Sequence, residues 1–205
     1  MENNHEAIAN EILINHLKKL HDDHDKKYDH TARGKLANLR YAMRDRLHGD
    51  YPVGRVFPAL ISGGLTDSRE QNEWRTLIAG LFGYAHDEVL YTKGISLGMA
   101  LRNMYEIRQN DSLEKRFMAL LNCDAEHLPG HLRQSVSLLK TENVGLDWGL
   151  LLTHVLNWSA PGKLTQKRWV EDYYKPIREN NDEPNQEVKT EIAPDGSIFT
   201  EGDTQ

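Results

Sequence analysis

Little in this chain of 205 residues invites covalent chemistry. Cysteine occurs once, at Cys123, which excludes a disulfide framework and a cysteine-based zinc knuckle. Set between Leu120–Leu121 and Asp124, that thiol is expected to pack in the core. No run approaches the roughly 18–20 consecutive apolar residues of a membrane span. Met1 to Lys19 is polar and acidic, so no secretory leader is expected there. The phosphate loop G-x-x-x-x-G-K-[ST], the nucleophile turn G-x-S-x-G, the zinc motif H-E-x-x-H and the Gly-rich dinucleotide loop are all missing. The paired acids Glu171-Asp172 and Asp22-Asp23 are neighbours in sequence, so on a helix they point about 100° apart and make no acid/base couple. A soluble cytoplasmic chain with no catalytic residues, no cofactor and no required metal is expected.

The formal net charge of −6 hides an uneven distribution. Residues 1–30 carry a net −3 and residues 179–205 a net −7, while residues 31–178 hold 20 Lys+Arg against 16 Asp+Glu, a net +4. Arginine predominates in that middle region, and its planar fork of donors suits phosphate oxygens.

The periodicity is helical almost throughout. Ile8, Ile12, Leu13, Leu17 and Leu20 predict an amphipathic helix over 5–21, followed by a polar loop or frayed end over 21–30. Leu36, Leu39, Met43 and Leu47 mark a second helix, stopped by Gly49. Pro and Gly break the next stretch, leaving a short helix around 57–61. Ser68 opens a helix with the stripe Trp74, Leu77, Ile78, Leu81 and Phe82. Val89–Lys93 is the only strand-like run, too short to found a sheet. Beyond it helices are predicted at 95–109, 112–123, 129–142, 148–158 and 163–177, with Pro129 in a first turn and Asp147 as an N-cap. The chain is therefore expected to be all-α: an N-terminal helical unit over 1–92, a C-terminal one over 93–178, and a disordered acidic tail over 179–205.

Two basic faces stand out. Arg33, Arg40 and Arg44 fall within about 20° of one line, opposite the apolar stripe of their helix. Such a row fits a nucleic-acid backbone without reading bases, and it fits a solvated face equally well. In the C-terminal half, Arg133 and Lys140 share a helix face, Arg102, Arg108, Lys115 and Arg116 lie on the two preceding helices, and Lys167 and Arg168 open the last. The pairs His21-Asp22, His24-Asp25 and His86-Asp87 bring to mind an HD-type metal-dependent phosphohydrolase, since imidazole and carboxylate are suitable ligands. The polar tract 21–30, however, offers no core-facing shell to orient such ligands.

Several motifs then fall in a familiar order. Gly94-Ile95-Ser96-Leu97-Gly98 with Ala100-Leu101 resembles the GISLG-x-AL segment of the CasB family, the small subunit of the type I-E CRISPR surveillance complex, Cascade. Lys115-Arg116-Phe117, His131-Leu132-Arg133, Leu138-Leu139-Lys140, Leu146-Asp147-Trp148 with Leu151 and Trp158, and Lys167-Arg168-Trp169 with Tyr173-Tyr174 resemble the segments that follow. The resemblance covers roughly 31–177 and is strongest over 94–174. It implies two small helical bundles in a non-catalytic subunit that stabilises the R-loop in antiviral defence. The implied partners are other Cascade subunits, the crRNA, the target and non-target DNA strands and a second copy of the chain, with no membrane. Arg40, Arg116, Arg133, Lys140 and Arg168 match the family's basic positions, while Tyr41 stands where some relatives have a second Arg. A purely protein-binding helical adaptor, its arginines only solvating the surface, is the other alternative.

Overall fold

The computed structural model describes the backbone of residues 2–27, 29–46, 60 and 68–175, and side chains within these spans except at 2–5, 26–27 and 42–46. Eight helices follow one another among the described residues: α1 (Glu2–Lys27), α2 (His30–Arg46), α3 (Arg69–Ala85), α4 (Leu97–Arg108), α5 (Asp111–Asn122), α6 (Leu128–Thr141), α7 (Trp148–Leu156) and α8 (Leu164–Tyr174). No strand occurs among them, and the β component is one parallel bridge between Tyr91 and Leu146. The all-α expectation holds. None of these helices is long and apolar enough to cross a membrane. The short helix expected at 57–61 lies, apart from Leu60, outside the described residues, as do the Gly49 stop, Leu47 and the tail 179–205.

Side-chain oxygens start four of the described helices, and at Ser68 and Asp147 they do so where the sequence places them. Ser68 Oγ accepts from Gln71 N–H at 3.3 Å, Ser96 Oγ from Met99 N–H at 3.2 Å and Asn110 Oδ1 from Ser112 N–H at 2.9 Å. Each satisfies one of the four N–H groups that a helix start leaves without a partner. Asp147 Oδ1 takes two, from Gly149 and Leu150, both at 3.0 Å. Pro129 sits in the first turn of α6 as expected.

The first helix departs from expectation. It does not end near 21 but runs to Lys27, because His21 and His24 lie against the buried ring of His86 beyond α3, at centroid distances of 5.4 and 5.7 Å. A partner 65 positions away supports a segment that its own polar pattern could not. The buried stripe is also rotated. Ala9, Leu13, Ile14, Leu17 and Leu20 face inward, while Ile8 and Ile12 remain 49% and 45% exposed.

Within the compact unit formed by residues 1–175, α3 is central, packing on α1, α2, α6 and α7. One apolar cluster runs from Leu13 to Tyr173. Glycine permits two close approaches. A Cβ at Gly83 would lie 2.8 Å from Leu39 Cβ and 3.0 Å from Leu36 O, so α2 rests on the last turn of α3. A Cβ at Gly98 would lie 2.5 Å from Trp169 O, where α4 meets α8.

The segment 89–95 is stitched to the start of α7. Leu146 N–H donates to Leu90 O and Thr92 N–H to Leu146 O, both at 3.0 Å. Trp148 Nε1 donates to Val89 O at 3.3 Å, and Asp147 Oδ2 accepts from Gly94 N–H at 2.8 Å. The Leu146-Asp147-Trp148 motif is thus a tie between distant segments: one residue pairs backbone, the next caps a helix and a turn, the third fills the core. Lower in the C-terminal half, Trp158 Nε1 donates to Cys123 O at 3.3 Å, and the Cys123 thiol is pushed up to about 11, chiefly by burial.

Candidate nucleic-acid interface

The end of α3 collects two of the expected basic residues. A helix C-terminus leaves its last carbonyls without intrahelical partners and carries partial negative charge. The last turn of α3 contains no base of its own. Arg40 Nε, from α2, donates to Gly83 O at 2.5 Å, and Lys140 Nζ, from α6, donates to Tyr84 O at 3.2 Å. Ala85 O accepts from Glu88 and Val89 N–H at 3.1 and 2.7 Å. Arg40 Nη2 also lies 3.2 Å from His86 Nε2 and 3.7 Å from Asp87 Oδ2. Lys140 pairs with Glu88 Oε1 at 3.1 Å and sits 4.8 Å from the centre of the Tyr84 ring. One base from each basic face therefore pins its own helix to α3.

Beside this junction, Arg116 of α5 and Arg133 of α6 line a common groove of about 440 Å³, with Tyr84, Gln134 and Ser137 among its other residues. Amphipathicity puts them there. Leu113, Phe117, Leu120 and Leu121 of α5, and Leu132, Val136 and Leu139 of α6, are buried, which turns Arg116 and Arg133 outward. Among the described residues, no carboxylate lines the groove. Two guanidinium forks beside hydroxyl and amide donors make a surface that can hold an anion by charge and hydrogen bonding, with no requirement for base identity.

The other expected bases are placed differently. Arg102 Nε donates to Glu106 at 2.8 Å, one turn along α4. Arg108 Nε donates to Glu142 Oε1 at 2.5 Å, tying α4 to α6. Arg168 is exposed on α8, and its charge adds to burial in holding His154 below the usual imidazole range. His154 Nδ1 accepts from Trp169 Nε1 at 2.8 Å. Arg33 is exposed on α2, and Arg44 lies on the same helix with its side chain outside the described residues.

Sequence reasoning named the histidines of one cluster separately and missed that they meet. His21 Nδ1 and His86 Nδ1 lie 3.3 Å apart, and His86 Nδ1 lies 2.7 Å from Asp87 Oδ1. His86 is buried, and burial pushes its pKa down to about 4; Arg40, His21 and His24 act in the same direction while Asp87 opposes them. The expectation that residues 21–24 face no ordered partner is corrected here, because α1 continues and turns two of its histidines onto His86. The three-residue spacing of His21 and His24 was the available signal, since it sets both on one helix face.

The motifs, the helical order and the groove can now be set beside known proteins. The family model for CRISPR-associated protein Cse2 matches residues 35–174. A CRISPR-associated protein Cse2 from Thermus thermophilus is 36% identical over 129 residues, which is 62% of this chain and 70% of that protein. A crystal structure of a Cse2-family protein, also from Thermus thermophilus, aligns with a TM-score of 0.66 at 28% identity, covering 80% of this chain and 97% of that one. A chain of a CRISPR RNA-guided surveillance complex shares the fold at 17% identity, with a TM-score of 0.58 over 82% of this chain and 92% of that one. The chain belongs to the Cse2 family of CRISPR-associated proteins, known also as CasB.

Proposed function

We propose that this chain is a non-catalytic small subunit of a type I-E Cascade complex, and that it stabilises the R-loop by holding nucleic-acid backbone. The observation that carries this reading is the groove in which Arg116 and Arg133 meet with no carboxylate among the described lining residues. Family membership supplies the setting, since a protein of this fold occurs in an RNA-guided surveillance complex. The partners are then the other Cascade subunits, crRNA, both DNA strands and a second copy of the chain. A 20-bp RNA–DNA hybrid is about as stable as the DNA duplex it replaces, so a few phosphate contacts can decide how long the opened target persists. Arg33, Arg44 and Arg168 are further bases assigned to backbone contact. Arg40 and Lys140 add charge beside it while holding their helices to α3.

The test is R-loop lifetime in assembled complexes carrying Arg116→Gln with Arg133→Gln. The expected result is full assembly, a shorter lifetime on unrelated targets alike, and a salt dependence flattened by about one unit per lost phosphate contact. An unchanged lifetime at physiological salt would assign these arginines to surface solvation. A loss confined to particular sequences would mean that they read bases.

A further inference from the structure

We propose that His21 Nδ1, His86 Nδ1 and Asp87 Oδ1 form a binding site for a divalent transition-metal ion of the zinc kind. The three donor atoms lie within 4.8 Å of one another. Ligand atoms around a tetrahedral zinc ion with Zn–N bonds of about 2.0–2.1 Å lie about 3.3 Å apart. The two ring nitrogens already stand at 3.3 Å. The Asp87 oxygen, 2.7 Å from His86 Nδ1, needs only a small outward turn, and that carboxylate is half exposed. His24 lies one turn beyond His21 on the same face of α1, its ring centre 5.7 Å from that of His86, outside the trio of converging donors.

Protonation supports this geometry. Without a metal, one proton on His86 Nδ1 lies among two ring nitrogens and a carboxylate oxygen. A cation takes its place, and that one proton moves through solvent to the opposite ring nitrogen. The Arg40 guanidinium does not block entry, because it approaches the opposite ring nitrogen, Nε2, at 3.2 Å. Once the metal holds Nδ1, the ring proton resides on Nε2. Arg40 then gives up that contact and keeps Gly83 O and Asp87 Oδ2. Imidazole-rich donor sets select zinc and its neighbours over magnesium and calcium, which prefer oxygen ligands. The site joins α1 to the end of α3.

The experiment is calorimetric titration of the full-length, tag-free, metal-stripped protein with Zn²⁺, with Co²⁺ as spectroscopic probe and Mg²⁺ as control. One equivalent of zinc, visible tetrahedral cobalt bands and no magnesium uptake are expected. His21→Ala and Asp87→Asn should each weaken zinc binding at least about tenfold with unchanged helicity, and two partly exposed positions keep the test valid if one variant misfolds. No stoichiometric zinc uptake by the parent chain overturns the proposal. So does an unchanged zinc affinity in the well-folded variants, which would place the ion on other histidines.

Discussion

Arg40 on α2 and Arg133 on α6 look alike in sequence, each lying opposite an apolar stripe on an amphipathic helix. In the folded chain they diverge. Arg40 spends its Nε on a backbone carbonyl of α3 and its Nη2 on His86, whereas Arg133 opens into a groove shared with Arg116. Position relative to a neighbouring helix end separates them, because a C-terminus attracts whichever cation comes within reach. A row of bases on one helix can thus contain both a fastener and a contact surface.

Substitution should expose this difference. Arg40→Leu should cost about 1.5 kcal/mol in urea unfolding, the lower end for a hydrogen bond to a charged group because the side chain is half exposed. A cost under about 0.5 kcal/mol would make Arg40 an ordinary surface residue. Lys140→Leu should cost about 1 kcal/mol by the same measurement, since its ammonium holds Tyr84 O and pairs with the partly exposed Glu88. Arg116→Gln with Arg133→Gln should stay within about 0.5 kcal/mol of the parent even as nucleic-acid binding falls. A large stability loss there would erase the contrast with Arg40.

Arg168 should give the smallest effect. Burial and the Arg168 charge hold His154 below its ordinary value, while Asp172 and Asp147 oppose them. Between the unfolded value of 6.5 and the lower folded one, the unfolded chain binds more protons, so stability falls as pH drops through that window. Arg168→Gln should let the folded value rise, narrowing the window. Melting at pH 5 relative to pH 7.5 should then drop less in the variant than in the parent. Equal drops would show that Arg168 does not act on His154.

Helices, caps and core were largely legible in the sequence, because Ser68, Pro129, Asp147 and the stripe from Trp74 to Phe82 act through local rules of period and capping. The continuation of α1 was not, since His21 and His24 are polar by pattern and are ordered by a histidine 65 positions away. The role of Arg40 escaped for a related reason: its acceptor is a main-chain carbonyl, and any residue offers one. Of the candidate site, the bases could be named from the sequence, but only packing distinguishes those that meet in a groove from those, such as Arg102 and Arg108, that close on nearby glutamates.

The stitch between segment 89–95 and residue 146 has a consequence for how the chain must be assembled. Cutting between residues 92 and 93 would leave Val89, Leu90 and Thr92 on one fragment and Leu146 and Trp148 on the other. The two pieces would have to recombine to restore the hydrogen bonds of Leu146 to Leu90 and Thr92 and of Trp148 to Val89. These amides report joining of the halves: protected from hydrogen exchange in the whole chain, exchanging freely in either fragment, and protected again on mixing. Because the ladder closes a long loop, its formation is a non-local step, and a nascent chain lacks it until the segment around Leu146 has been synthesised.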